Sequence, residues 1–304
     1  MNRQMIVRAA MTGAVAVIVG GVIWLVAGGW VGPDAGARRL VWSADRQAAK
    51  HDFAAAQASL ESLLARYPAS GWRDDALLKL GELQEAQNNL TGARQAYRML
   101  VEEHSDSPLV GQAQAKLGQV NVALLCSSAP SDLNEAYEVK PGDTLGRIAK
   151  TYRTTAELIK KKNGLTTDTI RPQQKLHLPK VRLSIVVDKS LNQLLLTTDN
   201  QFFKIYPVAT GQNNSTPVGT FHVTTRVANP PWYSPQGMIP YGDPRNILGT
   251  RWMGFDKPGY GIHGTTDPGA IGQQVTAGCV RMINTDVEEL FALVPIGTEV
   301  TIVD

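Results

Sequence analysis

The residues best suited to chemistry lie near the end of the chain, where a cysteine and a histidine stand among glycines. Cys279 lies in the segment Thr276-Ala-Gly-Cys-Val-Arg-Met282, and His263 precedes it by 16 positions (279 − 263). A thiol nucleophile requires a base that accepts its proton and N–H groups that hold the oxyanion formed on attack. The glycine before the cysteine lets a carbonyl substrate approach the main chain. This combination predicts a cysteine nucleophile rather than a buried structural cysteine.

Composition argues against several other kinds of site. The 304 residues include 30 Lys and Arg against 27 Asp and Glu, a net charge of +3 that is too weak to indicate nucleic acid binding. The basic run 160–162 is short and is interpreted as a solvated helix end. The two cysteines, Cys126 and Cys279, are far apart, and the five histidines occur in separate segments. The sequence therefore predicts no disulfide framework, no metal site and no cofactor.

The N-terminal segment has the features of a membrane anchor or signal sequence. Residues 9–33 contain no charged side chain and are mostly apolar, which is enough to span a bilayer as a helix of about 20 residues. Arg3 and Arg8 precede this run, so the positive-inside rule predicts cytoplasmic residues 1–8, a transmembrane anchor at 9–33 and export of the remainder. The expected location is the cell envelope, in the periplasm or facing the cell wall. A cleaved signal peptide followed by secretion is the alternative.

Residues 38–126 are rich in Ala, Leu, Gln and Glu at helical spacing and contain an internal repeat at an offset of 37 (90 − 53). Asp52 and Asn89 are predicted to cap the first helix of each copy. Matching pairs include Phe53 and Leu90, Ala56 and Ala93, Leu60 and Tyr97, Leu63 and Leu100, Ser70 and Ser107, and Gly81 and Gly118. The pattern resembles tetratricopeptide repeats. The resemblance implies either a surface for a protein partner or a spacer.

Residues 127–135 have the composition of a linker, and residues 136–180 follow with a strand, helix, helix, strand pattern. The turn Lys140-Pro-Gly-Asp-Thr-Leu145, the step Asn163-Gly-Leu165 and the ending Lys175-Leu-His-Leu-Pro179 carry this second module. These motifs resemble a LysM domain. The resemblance implies a βααβ fold that binds glycans containing N-acetylglucosamine.

The glycan groove of the LysM-like module is expected between its two loops. The residues assigned to it are Gly142, Asp143, Thr144, Asn163 and Ile170. Two positions depart from the usual pattern, because Gly146 replaces a bulky residue and Gln173 replaces a glycine. A folded spacer that binds no glycan is the alternative.

From residue 182 to 304 the chain changes to the apolar alternation of β-strands, with one convincing helix from Asp286 to Val294. Four motifs follow one another in this region, Ala209-Thr-Gly211, Thr216-Pro-Val-Gly-Thr-Phe221, Ile262-His-Gly-Thr265 and Thr276-x-Gly-Cys-Val-Arg-Met282. Together they resemble the L,D-transpeptidase catalytic domain, also called YkuD. The resemblance implies a mostly-β sandwich that acts on the stem peptides of peptidoglycan.

The resemblance also implies roles for individual catalytic residues. Cys279 is the nucleophile, and His263 is the base whose imidazole the carbonyl of Gly264 orients. The N–H groups of Gly278 and Cys279 are expected to form the oxyanion hole. Thr276 is expected to support the imidazole by a hydrogen bond.

Substrate contacts are expected from Arg281, Trp252 and Tyr260. Arg281 is suited to pair with a substrate carboxylate, with a structural ion pair as the alternative. The aromatic residues are suited to line the cleft, with core packing as the alternative. One departure is clear, because Ala277 stands where many relatives carry a second histidine.

The sequence thus predicts a multidomain envelope protein composed of a transmembrane helix, helical repeats, a LysM module and an L,D-transpeptidase domain. The predicted reaction is transfer of a stem peptide through a thioester on Cys279 to form a cross-link. An L,D-carboxypeptidase, a protein-to-peptidoglycan ligase and a catalytically silent wall-binding scaffold are the alternatives. Peptidoglycan is the expected partner, with the membrane at the N-terminus.

Overall fold

The computed structural model describes residues 34–128 and 131–304, which form two compact units divided between Asn121 and Val122. The predicted cytoplasmic residues 1–8 and the predicted anchor at 9–33 lie outside the described residues. Across the described part of the chain, no helix combines the length and the apolar character needed to cross a membrane.

The first unit is helical. Its elements are α1 (Ala35–Ala48), α2 (Phe53–Arg66), α3 (Arg73–Ala86), α4 (Leu90–Glu103) and α5 (Val110–Cys126), and the division between the units falls within α5. The apolar positions at helical spacing form its core, which includes the buried side chains of Val41, Leu60, Leu63 and Leu83.

Residues 37 positions apart in this unit make matching contacts, which confirms the internal repeat. The side chains of Asp52 and Asn89 each accept the backbone N–H three residues later, at 3.2 and 3.1 Å. The hydroxyls of Ser70 and Ser107 each accept the backbone N–H two residues later, both at 3.2 Å. Each serine thus orders the turn between two helices in the same way.

The second unit begins with a small βααβ module. Strands β1 (Asn134–Glu138) and β2 (Lys175–Pro179) pair in antiparallel register. Helices α6 (Leu145–Thr151) and α7 (Ala156–Asn163) lie between them in the sequence. Thr144 and Thr155 cap the two helices by accepting backbone N–H groups at 3.2 and 2.9 Å. The element order is the one predicted from the LysM-like motifs.

The interpretation of residues 160–162 as a solvated helix end is wrong for Lys162. This side chain is only 1% exposed, and its ammonium donates to the carbonyls of Leu125 and Ser127, both at 2.8 Å. Burial lowers the pKa of Lys162 to about 8. A run of three lysines does not reveal which of them is buried, because this depends on where the end of α5 packs.

The remainder of the second unit is mostly β-structure. The strands are β3 (Leu183–Asp188), β4 (Gln193–Thr198), β5 (Gln201–Pro207), β6 (Thr210–Gly211), β7 (Gly219–Ala228), β8 (Trp232–Ser234), β9 (Gly237–Ile239), β10 (Arg251–Phe255), β11 (Gly261–His263), β12 (Gln274–Thr276), β13 (Val280–Arg281) and β14 (Glu299–Val303). One helix, α8 (Asn284–Leu293), precedes β14. Eight strands form one sheet in the order β13-β11-β10-β7-β14-β3-β4-β5.

This domain is a curled sheet rather than the two separate layers of the predicted sandwich. Strand β7 has ten residues and pairs with β14 through its first part and with β10 through its second. A single long strand therefore belongs to both halves of the sheet and joins them. The short pairs β6–β12 and β8–β9 complete the β-structure of the described region.

Helix α7 of the βααβ module packs against α8 of the β-rich domain. The Thr155 hydroxyl donates to the carbonyl of Ala292, and the Glu157 carboxylate lies 3.5 Å from the Arg226 guanidinium. Arg226 also stacks on the ring of Phe291, with its guanidinium carbon 4.1 Å from the ring centroid. These contacts fix the module on the helix that follows the Cys279 segment.

Candidate active site

Strand register brings Cys279 and His263 to one face of the sheet. Strands β11 and β13 run parallel, with Ile262 opposite Val280 and His263 opposite Arg281. Cys279 immediately precedes β13, so extending this register by one residue toward the N-terminus places Cys279 opposite Gly261. Because side chains alternate between the two faces of a strand, Cys279 points to the same side as His263 and Arg281.

The same residues line a cavity of about 650 Å³. Cys279, His263 and Arg281 form one wall together with Thr276 and Ala277. The remaining lining residues are mainly apolar: Thr225, Val227, Pro230, Pro231, Trp232, Tyr233, Ile247, Leu248, Trp252 and Gly259. Arg281 and His263 are the lining residues that can carry a positive charge, and no acidic side chain contributes to the lining.

His263 is held in a buried, oriented state. It is 3% exposed, and its Nδ1 lies 2.6 Å from the carbonyl oxygen of Gly264. A carbonyl only accepts hydrogen bonds, so this contact assigns the proton to Nδ1 and leaves Nε2 free to accept a proton. Burial lowers the pKa of His263 to about 4, with the Gly264 hydrogen bond opposing this change and the charge of Arg281 adding to it.

Cys279 is a partly exposed free thiol whose Sγ lies 3.5 Å from the carbonyl oxygen of Gly259. Burial raises its pKa, while a backbone hydrogen bond from Gly261 and the charge of Arg281 act in the opposite direction. A raised thiol pKa beside a lowered imidazole pKa favours a neutral pair at neutral pH.

Trp252 covers the imidazole. It lies opposite His263 in the pairing of β10 with β11, and the two rings stack with centroids 6.0 Å apart and planes at 23°. Trp252 also lines the cavity. It thus reaches both the expected substrate space and the candidate base.

Arg281 faces the cavity without a protein carboxylate. Its Nε is buried without a hydrogen-bond partner, and no ion pair to it occurs within residues 34–128 and 131–304. The structural ion pair, which the sequence left as an alternative, is therefore not observed. A cation left unpaired in an apolar cavity is suited to an anionic ligand.

Tyr260 does not line the cavity, contrary to its assignment as a substrate contact. Its ring packs over Gly278, where an added Cβ would lie 2.8 Å from the ring carbon Cε1. Gly278 also has φ of +129°, a conformation that residues with a side chain rarely adopt. Tyr260 and Gly278 together shape the turn before Cys279.

Thr276 closes that turn and does not contact the imidazole. Its hydroxyl donates to the carbonyl of Cys279 at 2.6 Å and accepts the N–H of Gly278 at 3.1 Å. The prediction that Thr276 supports His263 is therefore wrong for this structure. The N–H of Gly278 is likewise engaged rather than free for an oxyanion, because the local threonine competes for it.

Alanine at position 278 is expected to lower the rate of Cys279 acylation by at least about tenfold. The added methyl group meets Tyr260, and the positive φ adds about 1–3 kcal/mol of strain, so the nucleophile turn shifts. Acylation by a carbapenem, followed by intact-protein mass spectrometry, measures the rate. Gly146→Ala is the matched control, because a Cβ at this exposed helical position meets no atom within 4 Å. A wild-type rate in Gly278→Ala would contradict the assignment.

The residues assigned to the glycan groove differ in their availability. Gly142 lies on an exposed turn with φ of +83°, whereas Asp143 accepts the Tyr137 hydroxyl at 2.6 Å and Thr144 caps α6. Asn163 bonds the backbone of Ile159 at 2.8 Å and of His177 at 2.8 and 2.7 Å.

Asn163 is therefore committed to holding α7 against β2, and its assignment as a glycan contact is not supported. Ile170 is half-buried against the core of the βααβ module. Gln173 has φ of +68°, a backbone conformation that glycine adopts without strain.

Sequence patterns missed four residues that line the cavity and also missed Asn284. The wall formed by Pro230, Pro231, Ile247 and Leu248 belongs to loops with no distinctive motif. Asn284 also went unmarked, although its side chain bonds the backbone next to Gly264. The helix is predicted to begin at Asp286, and a residue just before a helix gives no signal of a contact with a distant loop.

Comparison with known proteins agrees with all three resemblances. The L,D-transpeptidase (YkuD) catalytic domain matches residues 182–302, the LysM domain matches residues 137–179, and a tetratricopeptide repeat matches residues 47–117. The predicted relationships to these families are therefore confirmed.

Several relatives match part of the chain. YqjB of Bacillus subtilis, described as a candidate L,D-transpeptidase, is 43% identical over 126 residues, which are 40% of this chain and 70% of the relative. YkuD of Bacillus licheniformis, described in the same way, is 37% identical over 174 residues, which are 55% of this chain and 97% of the relative. Among solved structures, an L,D-transpeptidase from Mycobacterium smegmatis is 18% identical with a TM-score of 0.36, covering 43% of this chain and 64% of that chain.

These matches cover 70% of YqjB and 97% of the YkuD relative, so the similarity extends over most of each protein. On this similarity, the chain belongs to the L,D-transpeptidase (YkuD) family of acyltransferase enzymes.

Proposed function

We propose that this protein cross-links peptidoglycan as an L,D-transpeptidase with Cys279 as its nucleophile. The observation that carries the proposal is the position of Cys279 and His263 on one face of adjacent parallel strands, in one cavity with an unpaired arginine. The donor is a stem peptide whose third residue is a diamino acid and whose fourth residue is D-alanine.

In the acylation step, Nε2 of His263 accepts the thiol proton as Sγ of Cys279 attacks the carbonyl carbon of the diamino acid. The N–H of Cys279 stabilises the oxyanion, because the N–H of Gly278 is held by Thr276. As the tetrahedral intermediate collapses, the C–N bond to D-alanine breaks. The imidazolium returns its proton to the leaving amine, and a thioester remains on Cys279.

In the second step, the side-chain amine of another stem attacks the thioester carbonyl. Neutral His263 accepts a proton from the amine, the C–S bond breaks, and the thiolate is protonated again. The product is an amide between two diamino acids. Water in place of the amine would give an L,D-carboxypeptidase, and a protein lysine would give a protein-to-peptidoglycan ligase.

Arg281 is assigned to a carboxylate of the stem peptide. The cavity contains no acidic side chain that would compete for its guanidinium, and its Nε is buried without a partner. Apolar walls strengthen such an ion pair by excluding water. Trp252 borders both this space and the imidazole, so it is assigned a substrate contact as well.

The other modules are assigned to keeping the catalytic domain on its polymer. The LysM module binds the glycan through its exposed Gly142 turn, and its packing on α8 sets the distance from glycan to nucleophile. Tethering of this kind raises the local concentration of stem peptides. We also propose that residues 9–33 anchor the protein in the membrane and that the helical repeats bind a protein partner. The proposed site of action is the cell wall.

Incubation of the full-length protein with purified tetrapeptide muropeptides tests the function. Dimers linked through two diamino acids, detected by mass spectrometry with release of D-alanine, support the transpeptidase. Release of D-alanine without dimers would contradict the transpeptidase assignment and indicate an L,D-carboxypeptidase. Binding to the muropeptide glycan without any release would indicate a silent scaffold.

We expect acylation to persist at acidic pH. Burial holds the pKa of His263 at about 4, below the ordinary value of about 6.5, so the neutral base remains populated as the pH falls. Between about pH 7.5 and 5.5, an ordinary imidazole would lose roughly tenfold of its neutral form, whereas His263 would lose almost none. Carbapenem acylation of a Cys126→Ala background, followed against pH by mass spectrometry, measures this. A tenfold fall over this interval would contradict the buried neutral base.

A further inference from the structure

Asn284, the first residue of α8, bonds the peptide group that holds the candidate base. Its Oδ1 accepts the backbone N–H of Thr265 at 3.1 Å and that of Thr250 at 3.2 Å. The N–H of Thr265 and the carbonyl of Gly264 belong to the same planar peptide unit, on opposite edges. That carbonyl lies 2.6 Å from Nδ1 of His263. Asn284 and His263 therefore contact opposite edges of one peptide.

Two glycines make room for the Asn284 oxygen. An added Cβ on Gly249 or on Gly264 would collide with this Oδ1. Gly249 also has φ of +64°, which glycine adopts without strain. The backbone is thus shaped to admit the amide of Asn284 between two chain segments.

The other bonds of this turn leave the orientation of the 264–265 peptide to Asn284. The N–H of Gly264 donates to the carbonyl of Arg251 at 3.1 Å, which fixes the preceding peptide. The plane of the 264–265 peptide is then set by its two edge contacts, and a rotation of this plane would move the carbonyl away from Nδ1. Hydrogen bonding at the N–H edge also polarises the peptide and strengthens the carbonyl as an acceptor.

We propose that Asn284 is a positioning residue that keeps the His263 imidazole oriented in its Nδ1–H tautomer. This inference rests on the proposed function, in which Nε2 of His263 accepts the thiol proton. Asn284 lies five positions after Cys279 (284 − 279), so one short segment supplies the nucleophile and also orients its base. Nothing in the Cys279 motif itself requires that second task.

Two variants of the full-length protein test the proposal. Asn284→Ala removes the acceptor, and we expect carbapenem acylation to slow by about 10- to 100-fold because the base is misplaced. Asn284→Asp keeps an oxygen at the same place, so we expect a rate within about threefold of wild type at neutral pH. Its added negative charge favours the imidazolium, so the acidic limb of the rate should move to higher pH.

Nitrogen-15 NMR of ring-labelled histidines reports the tautomer independently of activity. We expect wild-type and Asn284→Asp proteins to show His263 protonated at Nδ1, and Asn284→Ala to show a mixture of tautomers. Thr197→Val is the matched control, because it removes buried hydrogen bonds to Ser184 on strands at the opposite end of the sheet. This control should lose stability but keep both the tautomer and the rate.

A wild-type rate and an unchanged tautomer in Asn284→Ala would overturn the proposal. If Asn284→Ala does not fold, Asn284→Asp and the wild-type protein still decide the question. Loss of the Nδ1–H tautomer in Asn284→Asp, or rapid hydrogen exchange of the Thr265 amide in wild type, would overturn it equally. Failure of the proposed function would look different, because the wild-type protein would then form no adduct on Cys279 whatever the tautomer.

Discussion

Replacement of Cys279 by alanine is expected to reduce turnover of tetrapeptide muropeptides by at least about 10⁴-fold, to the limit of detection. Without Sγ there is no atom on the β13 face that can form the acyl-enzyme, and the imidazole of His263 has no thiol proton to accept. Both release of D-alanine and formation of dimers should disappear, because both follow from the same thioester. Chromatography of the muropeptides measures the loss.

The second cysteine provides the control for this variant. Cys126 is also a free thiol with a pKa raised by burial, but it ends helix α5 and lies outside the cavity. Cys126→Ala should therefore keep full activity, and both variants should keep affinity for glycan if the LysM module is folded. Turnover that persists in Cys279→Ala would show that another group is the nucleophile.

Replacement of His263 by glutamine is expected to slow acylation at neutral pH by about 10²- to 10⁴-fold, the range typical for loss of a general base. The effect is large because burial raises the pKa of the Cys279 thiol, so little thiolate forms without help. Stopped-flow measurement of carbapenem acylation gives the rate.

The pH dependence of this variant identifies the cause of the loss. In His263→Gln, the rate should rise about tenfold per pH unit between pH 7 and 9 as hydroxide ionises the thiol, whereas the wild-type rate should change little near neutrality. A variant that lost activity only through a distorted cavity would not recover in this way. A low rate that does not change with pH would therefore contradict the role of His263 as base.

The identity of the site follows from short-range sequence features. The glycine before Cys279 and the upstream histidine can be recognised because each has a chemical reason, and the 16-residue spacing contributes through the resemblance to L,D-transpeptidases. The repeat can be recognised from the sequence for a similar reason, since Asp52 and Asn89 are local helix caps 37 positions apart.

The arrangement within the site depends on contacts that the sequence does not display. Thr276 was predicted to reach the imidazole, but its hydroxyl closes the local turn through Cys279 and Gly278. Tyr260 was predicted to meet substrate, but its ring fills the space that Gly278 leaves open. Thr276 thus bonds its own turn, and Tyr260 packs on a glycine 18 positions later (278 − 260), instead of the partners that were predicted.

Contacts between distant segments were the least predictable. The curled sheet depends on β7 pairing with different partners along its length, and a strand pattern does not reveal where pairing changes. The burial of Lys162 depends on carbonyls at the end of α5, more than 30 residues earlier in the chain. Alternation and helical spacing report which side of an element is apolar but not what covers it.

The most direct test of the central claim is the mass and position of the acyl-enzyme formed with a tetrapeptide stem. We predict that the Cys126→Ala protein, quenched during turnover, gains the mass of the donor minus D-alanine. Peptide mapping should place this adduct on Cys279, and neutral hydroxylamine should release it as expected for a thioester. Turnover without such an adduct, or an adduct on any other residue, would contradict the account.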